Sequence, residues 1–327
     1  MKAAVIGIGA IAPLHIKALQ ACAQEIVALC DIEIEKCHAA KEKFELTAAV
    51  YTDYLQMLDE VKPDVIHVCT PHYLHAEMIC AGLSRGIHVL CEKPLAINLQ
   101  QLDQIEEAVK NSSAQLGVCF QNRFNPAVLY LKEYFADKKI TAAYAQLTWK
   151  RDAAYYASGD WRGKWETEGG GVMINQAIHS LDLVQWFCGM PETVLAHVSN
   201  NSLKGTIEVE DTAYGLFEEA DGSRFVINAT NAATFSFPIS LAFHADKETA
   251  QLIGDNIILN GKFLTLSDGL PLFGKAVWGT GHRDLIDNFY TCIANRDPFS
   301  IGFEEASHAV RLLLSMYKSE GEKIQIL

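Results

Sequence analysis

Short apolar runs alternate with amphipathic segments of helical period from residue 2 to about 121. The runs are Ala3 to Gly7, Ile26 to Asp31, Ala48 to Tyr51, Val65 to Thr70, Ile87 to Cys91 and Leu116 to Phe120. Runs apolar on both faces, each followed by a helix-length segment, predict six strands of a parallel sheet covered on both sides. Thr52 and Asn98 are candidate N-caps, Pro63 precedes the fourth strand, and Gly86 ends a helix before the fifth. Residues 1–121 therefore read as a doubly wound domain of the α/β class.

After Arg123 the pattern changes. A helix is predicted over 126–136, a strand of period-2 alternation over 142–150 and a strongly apolar helix over 172–188. Strand-like runs follow, with hairpin signals at Asp221-Gly222, Asp255-Asn256 and Asn260-Gly261, pairs suited to turns of positive φ. A mostly antiparallel sheet is expected, closed by helices over about 281–295 and 303–319, which makes 122–327 a second α/β domain.

Composition narrows the function classes. Half of the 327 residues are apolar and a fifth charged, which excludes a disordered or fibrous chain. Twenty-seven Lys+Arg against forty Asp+Glu give a formal charge of -13, which repels a phosphate backbone, so neither nucleic acid nor an anionic membrane is the expected partner. The first residues offer one positive charge and then a strand and glycine turn, unlike a secretory signal, so the expected setting is cytoplasmic. Nine cysteines without a C-x-x-C spacing read as reduced and mostly buried; no metal site, zinc included, is expected.

The chemistry begins at the first turn. Gly7-Ile8-Gly9-Ala10-Ile11-Ala12 is a G-x-G-x-x-A pattern between a strand and a helix. Gly7 permits the tight turn, and Gly9 lets backbone approach a pyrophosphate. Ala12 allows helix to pack on strand, while Ala10 and Ile11 lie where helix N–H groups meet the anion. Asp31 ends the second strand, where a carboxylate accepts from ribose hydroxyls and repels a 2'-phosphate. With Ile32 next and no Arg beside it, the expected cofactor is NAD rather than NADP.

Further motifs give the chain a family. Thr70-Pro71 with His75, Glu92-Lys93-Pro94, and Gly169-Gly170-Gly171 followed by Asn175, His179 and Asp182 together resemble the Gfo/Idh/MocA oxidoreductases. That family includes glucose-fructose oxidoreductase and inositol 2-dehydrogenase. The resemblance runs over essentially the whole chain. It implies a Rossmann domain followed by an α/β domain with a large open sheet, hydride transfer between NAD(P) and a CH–OH group of a sugar or polyol, and homodimers or homotetramers formed through that sheet. It also implies that Thr70, Pro71, His75, Glu92, Lys93 and Asn122 lie on the cofactor side, and that Lys93 and His179 act at the reacting carbon.

Elementary chemistry agrees, since a secondary alcohol releases hydride only as its hydroxyl proton is removed beside a group that stabilises the oxyanion. Many relatives carry aspartate where this chain has Asn175, which can hydrogen-bond but cannot act as a base. His179 is therefore the expected proton acceptor, with Lys93 polarising the oxygen; the reverse assignment stays open. Asn175, His179 and Asp182 share one helical stripe, so Asp182 either orients the His179 ring or bonds backbone.

Substrate contacts are sought in the aperiodic stretch between Arg151 and Gly171. Tyr155, Tyr156, Trp161 and Trp165 offer flat faces to a sugar ring, and Arg162 and Glu168 offer groups for its hydroxyls; the alternative is that the rings pack on the sheet or at a subunit contact. Arg123 is expected to meet an acidic substituent or the cofactor, or to pair with a carboxylate between domains. Two further readings of the whole are an inactive NAD-binding regulator and an NAD-assisted glycosidase.

Overall fold

Six short strands that cannot leave polar backbone exposed on either face build the first layer of the computed structural model, which describes residues 1–265 and 281–327. They are β1 (Lys2–Ile6), β2 (Glu25–Cys30), β3 (Ala49–Tyr51), β4 (Val65–Val68), β5 (His88–Cys91) and β6 (Leu116–Val118), in the spatial order β3-β2-β1-β4-β5-β6, every pair parallel. The crossovers carry α1 (Ala12–Ala21), α2 (Ile34–Lys43), α3 (Tyr54–Val61), α4 (His75–Leu83) and α5 (Leu99–Lys110). This order reverses between β1 and β4, and such a switch point is where open α/β sheets bind ligands at their carboxyl edge.

Local chemistry sets the helix starts. Asn98 accepts from the Gln101 N–H at 2.9 Å, as its predicted capping role requires. The cap of α3 is Asp53 rather than the expected Thr52; its carboxylate accepts from Leu55 and Gln56, two bonds a threonine one residue earlier does not make. Gly86 takes φ +70° just after α4.

The chain divides into two compact units, the first holding residues 1–121 together with 281–307. Within it, α9 (Gly281–Asn295) lies along α1, and Val118 N–H donates to Ile301 at 3.0 Å. Phe289 of α9 fills the space over Gly117, where a Cβ would stand 2.8 Å from its ring.

In the second unit a nine-stranded mixed sheet is backed by helices. The strands are β7 (Ala142–Thr148), β8 (Thr193–Ser199), β9 (Thr212–Glu218), β10 (Arg224–Thr230), β11 (Ser240–Ala245), β12 (Glu248–Ile253), β13 (Asn256–Leu259), β14 (Lys262–Thr265) and β15 (Lys323–Gln325). Their order is β14-β13-β12-β11-β7-β10-β9-β8-β15, antiparallel except for the β7–β10 pair. Helices α6 (Pro126–Tyr134), α7 (Ala153–Tyr156), α8 (Ile178–Cys188) and most of α10 (Phe303–Ser319) complete the unit. Alternation puts Ala143, Ala145 and Leu147 of β7 on the buried face, towards α8, and Tyr144 on the other.

Two predicted hairpins fall where expected, at Asp221-Gly222 and at Asn260-Gly261, whose φ values are +50° and +78°. The third is displaced by one residue. Gly254 takes φ +57° and Asn256 already begins β13, so the turn is Gly254-Asp255 rather than Asp255-Asn256.

Candidate active site

The glycine turn is built by steric exclusion on one side and open space on the other. Gly7 has φ +87°, and a Cβ there would lie 2.8 Å from the Cys69 carbonyl and from Thr70 Cγ2. At Gly9 a Cβ would meet nothing within 4 Å. The turn is thus packed from beneath and accessible from above, beside the first N–H groups of α1, which have no intrahelical acceptors. Asp31 braces the same turn: its carboxylate accepts from Ile8 N–H at 2.7 Å and Glu33 N–H at 2.9 Å, while the side chain stays half-buried. A dinucleotide fits this arrangement, with pyrophosphate above Gly9, Ala10 and Ile11 and a ribose at Asp31.

Lys93 follows the carboxyl end of β5 and is half-buried, in a turn held from two directions. Its backbone N–H donates to Glu92 Oε2 at 3.3 Å. His75, fully buried, places one ring nitrogen 2.9 Å from the Thr70 carbonyl and the other 2.7 Å from the Pro94 carbonyl, so it ties the β4 turn to the β5 turn. Burial outweighs those two bonds and lowers the His75 pKa. Pro71 starts a single 3₁₀ turn ahead of α4. Thr70, Pro71, His75, Glu92 and Lys93, separate in sequence, thus share one edge of the parallel sheet.

In the second unit the predicted helix over 172–188 begins with a π turn, Met173–Ala177, before continuing as α8. The wider turn carries Asn175; His179 follows on the first turn of α8 and is half-buried. Close approach explains two of the three glycines before it, and the third, Gly169, takes φ +81°. A Cβ on Gly170 would stand 2.0 Å from the Tyr317 hydroxyl, and one on Gly171 would stand 1.9 Å from the Glu210 carbonyl. Glu210 supplies what the helix start lacks, accepting from Gly171 N–H at 2.8 Å, Met173 N–H at 3.0 Å and the Tyr317 hydroxyl at 2.9 Å. Burial pushes its pKa up to about 7, against the pull of those bonds.

Asn175 Nδ2 donates to Glu168, which also accepts from Gly163 N–H. A carboxylate only accepts, so the amide is oriented with its nitrogen toward Glu168 and presents Oδ1 on its other side. Asp182 is bound twice by Arg123, Oδ2 accepting from Nε at 2.8 Å and Oδ1 from Nη2 at 2.6 Å. Arg123 is only 3% exposed and stacks 4.9 Å from the Trp186 ring. Arg123 thus pairs with a carboxylate, but one of its own unit rather than one between domains. Asn122 stands half-buried beside it.

The stretch from 151 to 171 splits into two kinds of residue. Tyr156 is buried with Ile207 and Val209, its hydroxyl accepting from Asn231 at 3.0 Å, so it packs as a small core. Glu168, at 1% exposure, is a brace rather than a surface acceptor. Trp161 and Arg162 remain half-buried; the guanidinium lies 4.5 Å from the Trp161 ring and donates to the Tyr155 hydroxyl at 2.8 Å. His15 and His67 escaped the sequence reading, because single polar residues in apolar segments carry no spacing signal, and so did Glu210, in a connection between strands.

A 3-2-1-4-5-6 parallel sheet with an open glycine turn and an acidic residue after the second strand defines a dinucleotide-binding protein. Residues 1–120 match the model described as "Oxidoreductase family, NAD-binding Rossmann fold", and residues 135–251 match the GFO/IDH/MocA C-terminal domain. The chain belongs to the Gfo/Idh/MocA family and is an NAD-dependent oxidoreductase.

Among curated relatives, D-glucoside 3-dehydrogenase of Escherichia coli is 29% identical over 290 residues, covering 88% of this chain and 81% of that protein. Myo-inositol 2-dehydrogenase of Thermotoga maritima is 24% identical over 334 residues, covering 99% of this chain and 97% of its own. Among solved structures, the WlbA dehydrogenase from Bordetella pertussis in complex with NADH and UDP-GlcNAcA superposes with TM-score 0.87 at 26% identity, covering 100% of this chain and 98% of that one.

Proposed function

We propose that the protein oxidises, or in reverse forms, a secondary CH–OH group of a sugar, polyol or sugar derivative. NAD, when bound, supplies the hydride carrier. The turn from Gly7 to Ala12 binds its pyrophosphate, and Asp31 binds its adenosine ribose. Thr70, Pro71, His75, Glu92 and Asn122 shape the wall on that side. Lys93 polarises the substrate oxygen, and His179 takes the hydroxyl proton as the carbonyl forms. Asn175, its amide oriented by Glu168, accepts from a neighbouring hydroxyl through Oδ1. Trp161 and Arg162 offer a ring face and N–H donors to the rest of the carbohydrate, while Tyr156 and Arg123 hold the surrounding structure. The supporting observation is Lys93 in a doubly braced turn at the carboxyl edge of a nucleotide-binding sheet, in a chain of this family.

A panel of free, phosphorylated and nucleotide-linked sugars and polyols, followed by NADH absorbance, tests the reading. Net NADH formation is the expected result. Sugar release without net NADH would make the protein an NAD-assisted glycosidase, and cofactor binding with neither would make it a regulator.

The active form is a homodimer or homotetramer built on the outward face of the second sheet. Tyr144 and Tyr214 stand there 52% and 51% exposed, with Leu195 on the same face. Sedimentation of Tyr214→Glu should show a smaller species than wild type; a monomeric wild type would contradict this assembly.

A further inference from the structure

Beneath the Lys93 turn the first unit buries a line of polar side chains that the proposed chemistry leaves unused. His15 of α1, His67 of β4 and Tyr290 of α9 are all withdrawn from solvent. The Tyr290 hydroxyl lies 2.9 Å from His67 Nε2, His67 Nδ1 lies 2.8 Å from His15 Nδ1, and His15 Nε2 lies 2.9 Å from Glu92 Oε1. His282 Nε2 stands 3.4 Å from the same oxygen. The other oxygen of Glu92 receives the Lys93 backbone N–H.

Two imidazole nitrogens this close share one proton, so the tautomer of each ring dictates that of the next. Both ends of the line set one direction, since the carboxylate at the other end only accepts. Among the described residues the hydrogen-bond partner of the Tyr290 hydroxyl is His67 Nε2, and a buried O–H without an acceptor is costly, so Tyr290 donates. Burial keeps His67 uncharged, so its one proton sits on Nδ1 and points at His15 Nδ1. His15 Nδ1 then accepts, and its Nε2–H donates to Glu92. Burial would push Glu92 toward the acid form, but its bonds from His15 and His282 prevail and hold it well below the usual carboxylate range.

We propose that Tyr290, His67 and His15 are positioning residues for Lys93: three hydrogen bonds, all donated toward Glu92, fix that carboxylate beneath the Lys93 backbone. The proposal rests on the reading of Lys93 as the group that polarises the substrate oxygen.

Histidine nitrogen chemical shifts of labelled wild-type protein test the direction. The expected pattern is His15 protonated on Nε2 alone and His67 on Nδ1 alone. A doubly protonated His15, or His67 carrying its proton on Nε2, would overturn it. So would a stoichiometric zinc ion found by elemental analysis, since a cation shared by His15, Glu92 and Cys119, whose candidate ligand atoms lie within 4.8 Å of one another, would displace the Nε2 proton. Tyr290→Phe removes the donor at the far end of the line. In that variant the His67 Nε2 chemical shift should move to that of an unbonded acceptor while the proton stays on Nδ1, and kcat should fall roughly threefold to tenfold with NADH affinity unchanged. A shifted His67 with wild-type kcat would refute the positioning role. Failure of the underlying reading shows separately, as wild-type turnover in Lys93→Met with the tautomers as expected.

Discussion

Burial pushes the Glu210 pKa up to about 7, outweighing the backbone donors that pull it down. Its ordinary value is 4.5, so the native state holds a proton that the unfolded chain releases between those two values. The raised pKa contributes stability that is complete below about 4.5 and is lost as the pH rises through about 7, at most about 3 kcal/mol in all. Glu210→Gln should flatten this part of the pH profile in denaturant titrations, and an unchanged slope would place the proton elsewhere. No motif pointed to Glu210, since an acidic residue between two strands looks like any solvated loop position. Lys93 and His179 were legible as candidates because they belong to motifs with fixed neighbours. The Arg123–Asp182 pair was not, for a carboxylate on a helical stripe can face its own helix or a distant segment with equal ease.

At the scale of elements, the start of the helix bearing Asn175 and His179 depends on backbone contact more than on propensity. Gly171→Ala would force a methyl into the Glu210 carbonyl. The expected cost is upward of about 2 kcal/mol with a large loss of activity, measured by thermal unfolding beside Gly222→Ala, whose Cβ would meet nothing and which should cost only about 1 kcal/mol for its positive φ. Equal losses in the two variants would contradict this packing. Periodicity predicted the helix over 172–188 but not its opening π turn, because hydrophobic spacing averages over one widened turn. Strands and paired-φ turns were read well for the same reason that the Asp255 turn slipped by one: Gly254 and Asn256 flank it, and either tolerates positive φ. The short β15 left no trace, since three residues cannot display alternation.

For the whole molecule, the alternation of apolar runs and helical segments dictates the parallel sheet. Covered strands need apolar side chains on both faces and a crossover between them. The same pattern predicts a helix over 281–295 without saying which layer it covers; Gly117, a glycine in a strand, is shaped by that packing. Membership of the family settles the cofactor and the reaction type, whereas the substrate depends on side chains that no periodicity marks. The most direct test follows deuterium from the carbinol carbon of a turned-over substrate. The label should appear on the reduced nicotinamide with wild-type protein, and His179→Ala should lower kcat by roughly 10² to 10⁴ while NADH binding persists. Deuterium lost to water, or wild-type turnover by the alanine variant, would contradict the account.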